Sequence, residues 1–381
     1  MLDFSISEDH TLLHDMVDRL SLERHDFQLR RTLIASAEGW HRPFWTQLAE
    51  LGVLGASMPE DFGGMAGSAL ATMVIMQAFG RRLVISPYLS TVTCAAGLLA
   101  KSASVEQCGE HLPKIAAGER VFAFACQERQ DLGDIHRIAT TATPDGSDYL
   151  LKGSKTLVVG APWADFLLVV ARLADRPGEL AAFIVPSDAP NLVIRSRTLV
   201  DGFRSAEIVF DNVRVPKPDC VGVTAGIASD IERTIDEVIV ALCAEACGSI
   251  DALVTATAEY AKTRKQFGQP IGKFQVLQHR MVDMVVAKEQ CLSVTHQAAL
   301  QLDGPPAQRK RAVSAAKAHV GRLGRTVAQS AVQIHGGIGI TDELDVTHHF
   351  RRIEVFNLQF GSVDDHVRRY AALMDESDSA A

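Results

Sequence analysis

Gln333-Ile334-His335-Gly336-Gly337-Ile338-Gly339-Ile340-Thr341 is the stretch of this 381-residue sequence whose reading decides the fold. Three glycines in four residues let backbone N–H groups approach a ligand closely, as an anion cradle requires. Taken alone it is equally an ordinary glycine-rich loop, with His335 a hydrogen-bonded loop residue rather than a catalyst. Its surroundings carry more information. Upstream runs a stripe at helical spacing, Val313, Ala316, Val320, Leu323 and Val327, and before it a second, Leu277, Met281, Met284, Cys291 and Ala298. A third stripe, Ile235, Ile239, Leu242, Ala246, Ile250, Leu253, Thr257 and Tyr260, belongs to a segment that would span about 55–60 Å as an unbroken helix. Helices of that length bury their stripes against neighbours in bundles.

Between the third stripe and the second lies Arg264-Lys265-Gln266-Phe267-Gly268-Gln269-Pro270-Ile271-Gly272, followed by Phe274-Gln275. Two readings stay open. Arg264 complements the helix dipole above a Gly/Pro turn, or an arginine and an amide at a helix-to-helix turn meet a phosphate.

Further upstream the period changes from three or four to two. Short β-rich runs at 121–126, 149–159, 166–171, 181–185, 192–200 and 208–215 are separated by turn signals such as Pro144-Asp145-Gly146 and Arg176-Pro177-Gly178. This spacing predicts an antiparallel barrel or sandwich. No βαβ rhythm and no GxGxxG after a strand accompany it, which disfavours a Rossmann nucleotide fold. The first part of the chain returns to helical spacing, with Ile6, Leu12, Leu13, Met16, Val17 and Leu20 and a second stretch from Trp45 to Leu54 that ends in Gly55. The expected fold is therefore α+β and multidomain: an N-terminal α-helical domain (1–118), a middle antiparallel β-barrel or sandwich domain (119–225) and a C-terminal four-helix bundle (226–381).

Composition narrows the function classes. At 47% apolar and 22% charged residues the chain has material for a buried core, and a net charge of −8 without a basic run argues against nucleic-acid binding. Seven scattered cysteines without CxxC spacing suit reduced, buried thiols and a cytoplasmic location. No signal-peptide core and no membrane-spanning run is expected.

In this order and in an α–β–α chain, the segments resemble the acyl-CoA dehydrogenase flavoprotein family. Supporting matches are Pro59-Glu60-Asp61-Phe62-Gly63-Gly64, Leu151-Lys152-Gly153-Ser154-Lys155 and Phe210-Asp211-Asn212-Val213-Arg214-Val215-Pro216. The resemblance implies FAD as cofactor, an acyl-CoA substrate, and electron-transfer flavoprotein as electron acceptor. It implies that Arg264, Phe267, Gln275, Gln333, Gly336 and Gly337 reach across a dimer interface to the FAD pyrophosphate and adenosine. The reaction implied is α,β-desaturation, in which a carboxylate removes the α-proton while the β-hydride passes to the flavin.

The sequence departs from the family at the base. The family's usual glutamate position is Phe360, and the alternative one, 26 residues before Arg264, is Val238. Glu237 is adjacent, but one residue on a helix is about 100° of rotation, which leaves it a weak candidate. Asp364 and Asp365 are weaker still. The flavin-facing strand deviates too. Gln127-Glu128-Arg129 and Gly133-Asp134 stand for Thr-Glu-Pro and Gly-Ser-Asp, and Leu157-Val158-Val159 for Trp-Ile-Thr, so Val159 has no hydroxyl for flavin N5 and Leu157 cannot cover the ring as Trp does. The pattern is similar to the small, base-less subunits of heteromeric acyl-CoA dehydrogenases, such as those for pimeloyl-CoA or bacterial steroid side chains. It implies an α2β2 heterotetramer whose related partner carries the glutamate. The alternatives are a complete homotetramer with Glu237 as base, a non-catalytic structural or regulatory homologue, and a flavin monooxygenase.

Overall fold

A computed structural model of the protein describes residues 7–129, 134–222 and 227–379; Ile6, Gly133 and the expected domain boundary at Gly226 lie outside them. The chain begins with helices α1 (Glu8–Arg24), α2 (Phe27–Ala35), α3 (Arg42–Glu50) and α4 (Ala69–Arg82). A π-helical stretch, Leu89–Ala96, runs into α5 (Gly97–Ser102), and α6 (Val105–Ala116) follows. Strands come next: β1 (Phe122–Ala125), β2 (Thr141–Asp145), β3 (Asp148–Val159), β4 (Phe166–Leu173), β5 (Leu180–Pro186), β6 (Leu192–Thr198), β7 (Arg204–Pro216) and β8 (Cys220–Val221). Helices return with α7 (Ile227–Thr263), then a hairpin of β9 (Lys265–Gln266) and β10 (Gln269–Pro270). The chain ends in α8 (Gln275–Leu300), α9 (Pro306–His335), α10 (Asp345–Phe356) and α11 (Val363–Ser379). The expected order of N-terminal helices, middle sheet and C-terminal helices is the one observed.

Tertiary contacts divide the chain into two compact units, one of 1–32, 69–84 and 239–381, the other of 33–68 and 85–238. The first unit is helical. Its core is the α7 stripe, where Leu242, Ile250 and Leu253 are fully buried. Helices α4 and α7 meet backbone to backbone, because a Cβ on Gly80 would overlap the Glu245 carbonyl and one on Gly248 would overlap the Gln77 carbonyl. Glu245 and Arg352, both buried, form a two-bonded ion pair at 2.8 and 2.5 Å that ties α7 to α10.

The second unit is built on one sheet, in the order β6-β7-β3-β2-β4-β5-β8. Its buried face carries Leu151, Leu167, Val169, Phe183, Ile208 and Phe210. The pairs are antiparallel as expected except for β1 with β4 and β2 with β4, which are parallel. Strand β2 was not expected at all. Its sequence, Thr-Ala-Thr-Pro-Asp, is short and polar, and Pro144 reads as a turn, yet it pairs with β3 and β4 near the middle of the sheet. Helix α3 also stops earlier than the 45–54 stripe suggests, because Gly52 takes φ 74° and starts a tighter turn.

Helix α7 corrects a second expectation, since it is long and apolar enough to cross a membrane. Of that apolar window 78% is buried within the fold, which is the setting of a core helix. All seven cysteines are buried free thiols. In the α1 stripe Val17 is buried, whereas Leu12 is 61% exposed.

Candidate functional site

Where α7 ends, α8 begins and α9 ends, the helical unit holds a cavity of about 460 Å³. Arg264, Phe267, Gln333, Gly336 and Gly337 all line it, which brings together most of the expected cofactor residues. Gln275 stands at the N-terminus of α8, exposed and outside that lining. The local causes are visible in each segment. Arg264 follows directly on α7, its carbonyl accepting from Ile271 N–H at 2.8 Å. Phe267 and Gly268 form the two-residue turn of the β9–β10 hairpin with φ of 52° and 81°. Two positive φ values match the turn type that suits a right-twisted hairpin, but phenylalanine there is strained. Its ring is 91% exposed, edge-on to Phe274 at 6.1 Å.

His335 is the last residue of α9, not a loop residue. It is buried, its Nδ1–H donates to the Ala331 carbonyl at 2.8 Å, and its ring stacks on Tyr260 at 4.4 Å. Gly336 breaks the helix with φ 67°, and a Cβ on either Gly336 or Gly337 would meet only open space. Gly337 has no positive φ, so nothing inside the chain demands glycine there. The cavity lining also includes Arg280, which the sequence reading missed. Its only signal is its place in the second turn of α8, beyond Gln275.

This donor set fits a diphosphate-bearing cofactor. Guanidinium groups, a free amide and an uncovered Gly-Gly backbone converge on one cavity, and no carboxylate lines it among the described residues. Aromatic surfaces at Phe267, Phe274 and the Tyr260–His335 stack flank them.

The base positions offer no such chemistry. Phe360 sits in a left-handed turn, φ 53°, before Gly361 at φ 99°, and its carbonyl accepts from His366 Nε2–H at 2.9 Å. Val238 is fully buried. Glu237 is ion-paired with Lys101 at 2.7 Å and Arg233 at 3.2 Å, so both of its carboxylate oxygens are engaged within the fold. Asp365 accepts from Ser362 N–H at 2.8 Å and Oγ–H at 2.6 Å, which caps α11, and Asp364 is exposed in that helix's first turn.

In the sheet unit, Glu128 is buried and takes hydrogen bonds from Lys155 at 2.8 Å, Thr140 Oγ–H at 2.6 Å and the Ala139 and Thr140 amides. Burial raises its carboxyl pKa, and the Lys155 ammonium and these bonds outweigh that and hold it below the usual range. Glu128 is thus consumed within the fold. Leu157 lies at a bulge where β3 slips against β7, with φ 51°.

Three family models cover most of the chain: the acyl-CoA dehydrogenase N-terminal domain matches residues 7–119, the middle domain 123–213 and the C-terminal domain 226–372. Acyl-CoA dehydrogenase FadE12 of Mycobacterium tuberculosis is 31% identical over 314 residues, 79% of this chain and 80% of that one. Among solved structures, a variant of the Tcur3481-Tcur3483 steroid ACAD superposes with a TM-score of 0.89 at 27% identity, covering 98% of this chain and 99% of that one. The ChsE4-ChsE5 complex from Mycobacterium tuberculosis superposes at 0.90 with 24% identity, covering 98% and 99%, a likeness of fold.

Proposed function

The chain belongs to the acyl-CoA dehydrogenase family, whose FAD-dependent reaction oxidises acyl-CoA, and from that premise we propose that it is one subunit of a heteromeric dehydrogenase. In this reading a related partner subunit supplies the glutamate base and most of the flavin-ring contacts. This chain lends Arg264, Phe267, Gln275, Gln333, Gly336 and Gly337 to the pyrophosphate and adenosine of the partner-held FAD. The observation that carries the proposal is the contrast within one chain. The cavity that would receive a diphosphate is open and cationic, whereas Phe360 and Val238 have no titratable group and Glu237 is neutralised by Lys101 and Arg233.

FAD, when bound, supplies the acceptor for the substrate's β-hydride. The chain's own part is binding: Arg264 offers a planar pair of donors to a phosphate oxygen, Gln333 an amide, and Gly336-Gly337 bare backbone. The exposed Phe267 ring would bury against the cofactor or the partner. Electron-transfer flavoprotein is the proposed electron acceptor, and the name of the steroid ACAD relative supports a bulky acyl group. A complete homotetramer with Glu237 as base is disfavoured by the two ion pairs on that carboxylate.

Purifying the chain alone and together with a related dehydrogenase chain tests the proposal. The expected result is FAD and substrate-dependent bleaching only in the pair. Stoichiometric FAD bleached by acyl-CoA in a preparation of this chain alone would overturn it, and loss of that bleaching in Glu237→Gln would then identify the base.

A further inference from the structure

Arg280 projects into the same cavity as Arg264 from a different helix, and it is half-buried. Neither guanidinium makes a hydrogen bond or ion pair with any described residue. Four other arginines of the helical unit are paired, Arg81 with Asp251, Arg82 with Asp18, Arg325 with Glu354 and Arg351 with Asp342, whereas Arg19, Arg24 and Arg322, which make no such bond among the described residues, are exposed and line no part of this cavity. A surface arginine ordinarily finds a carboxylate or lies along an apolar face in water. Two like charges that line one concavity disfavour each other at close range, and a bound dianion attracts both.

We propose that Arg280 is a second diphosphate-binding residue of this site, taking one phosphate of FAD while Arg264 takes the other. The inference rests on reading the cavity as the FAD diphosphate site and adds a residue to it. One guanidinium compensates one of the two negative charges of a pyrophosphate, and the second compensates the other. The arrangement selects a dinucleotide or nucleoside diphosphate over a neutral flavin. Gly336 and Gly337 line the same cavity and leave their backbone uncovered for an anion to lie against.

Titrations of the full chain, alone and copurified with its partner, test this with FAD and with ADP across a range of salt concentrations. The variants are Arg280→Gln, Arg280→Lys and Arg264→Gln, each checked for native far-ultraviolet circular dichroism, which follows the helices. Losing one charge-assisted contact is expected to weaken FAD and ADP binding by about 10- to 100-fold in Arg280→Gln. It should also flatten the salt dependence, because one fewer exposed charge is screened. Arg280→Lys, which keeps the charge, should retain the wild-type salt dependence with a smaller loss of affinity. Wild-type affinity and salt dependence in Arg280→Gln, beside a clear loss in Arg264→Gln, overturn the assignment of Arg280 alone. Failure of the wild-type protein to bind either nucleotide in any preparation overturns the diphosphate reading of the cavity and this inference with it.

Discussion

Lys317 is fully buried in the helical unit, its ammonium donating to the Phe356 carbonyl and lying 3.6 Å from that ring's centroid. Burial above all, with the nearby Arg352 charge, pulls its pKa from 10.5 down to about 7, against a smaller upward pull from Cys243. Between those two values the unfolded chain binds a proton that the folded chain does not. Stability from this group therefore rises with pH across that window. Urea titrations should show the midpoint of the wild type climbing from pH 7 toward pH 10 more steeply than that of Lys317→Met; equal slopes would remove Lys317 as the cause. A second residue-level expectation concerns Arg352. Its replacement by Met leaves Glu245 charged and buried without its partner, which costs about 3–5 kcal/mol, readable as a fall in the urea midpoint. Phe360 and Val238 were legible at this scale from sequence alone, because the absence of a titratable group needs no coordinates. The engagement of Glu237 was not, since Lys101 reaches it from a remote helix.

At the scale of elements, periodicity located α1, α3, α7, α8 and α9 but not α4 or α11, and the glycines decided how α4 and α7 pack. Gly248→Ala should force α7 away from α4, with an overpacking cost of about 1–3 kcal/mol measured by chemical denaturation. Gly109→Ala in α6, where a Cβ meets nothing, serves as the control with no such loss. What pattern could not find were elements held by tertiary pairing rather than by propensity. Strand β2 has a proline and no alternation, and it exists because β3 and β4 satisfy its backbone. The β9–β10 hairpin read only as a turn, because two-residue strands carry no period.

At the scale of the whole molecule, the packing units cut across the order of the chain, so residues 69–84 join the C-terminal helices while 85–116 join the sheet. All three tryptophans belong to the sheet unit: Trp40 stacks on Trp163 at 5.8 Å and meets Trp45 edge-on at 6.0 Å. Intrinsic tryptophan fluorescence is thus expected to report melting of that unit, while far-ultraviolet circular dichroism follows the helices. Noncoincident transitions would mark the two units as separate in unfolding, and coincident ones as a single cooperative block.

The sequence by itself determined the kinds of element, their order, the family and the lack of a titratable side chain at Phe360 and Val238, because each depends on local period or on the identity of a side chain at a motif position. Only the tertiary structure decided that Arg280 shares a cavity with Arg264, that Glu237 and Glu128 are spent on internal cations, and that β2 lies near the middle of the sheet. The reason is physical. Convergence at a site depends on how helices and strands far apart in the chain pack and satisfy one another's polar groups, and no window along a single strand of sequence contains both partners of such a contact.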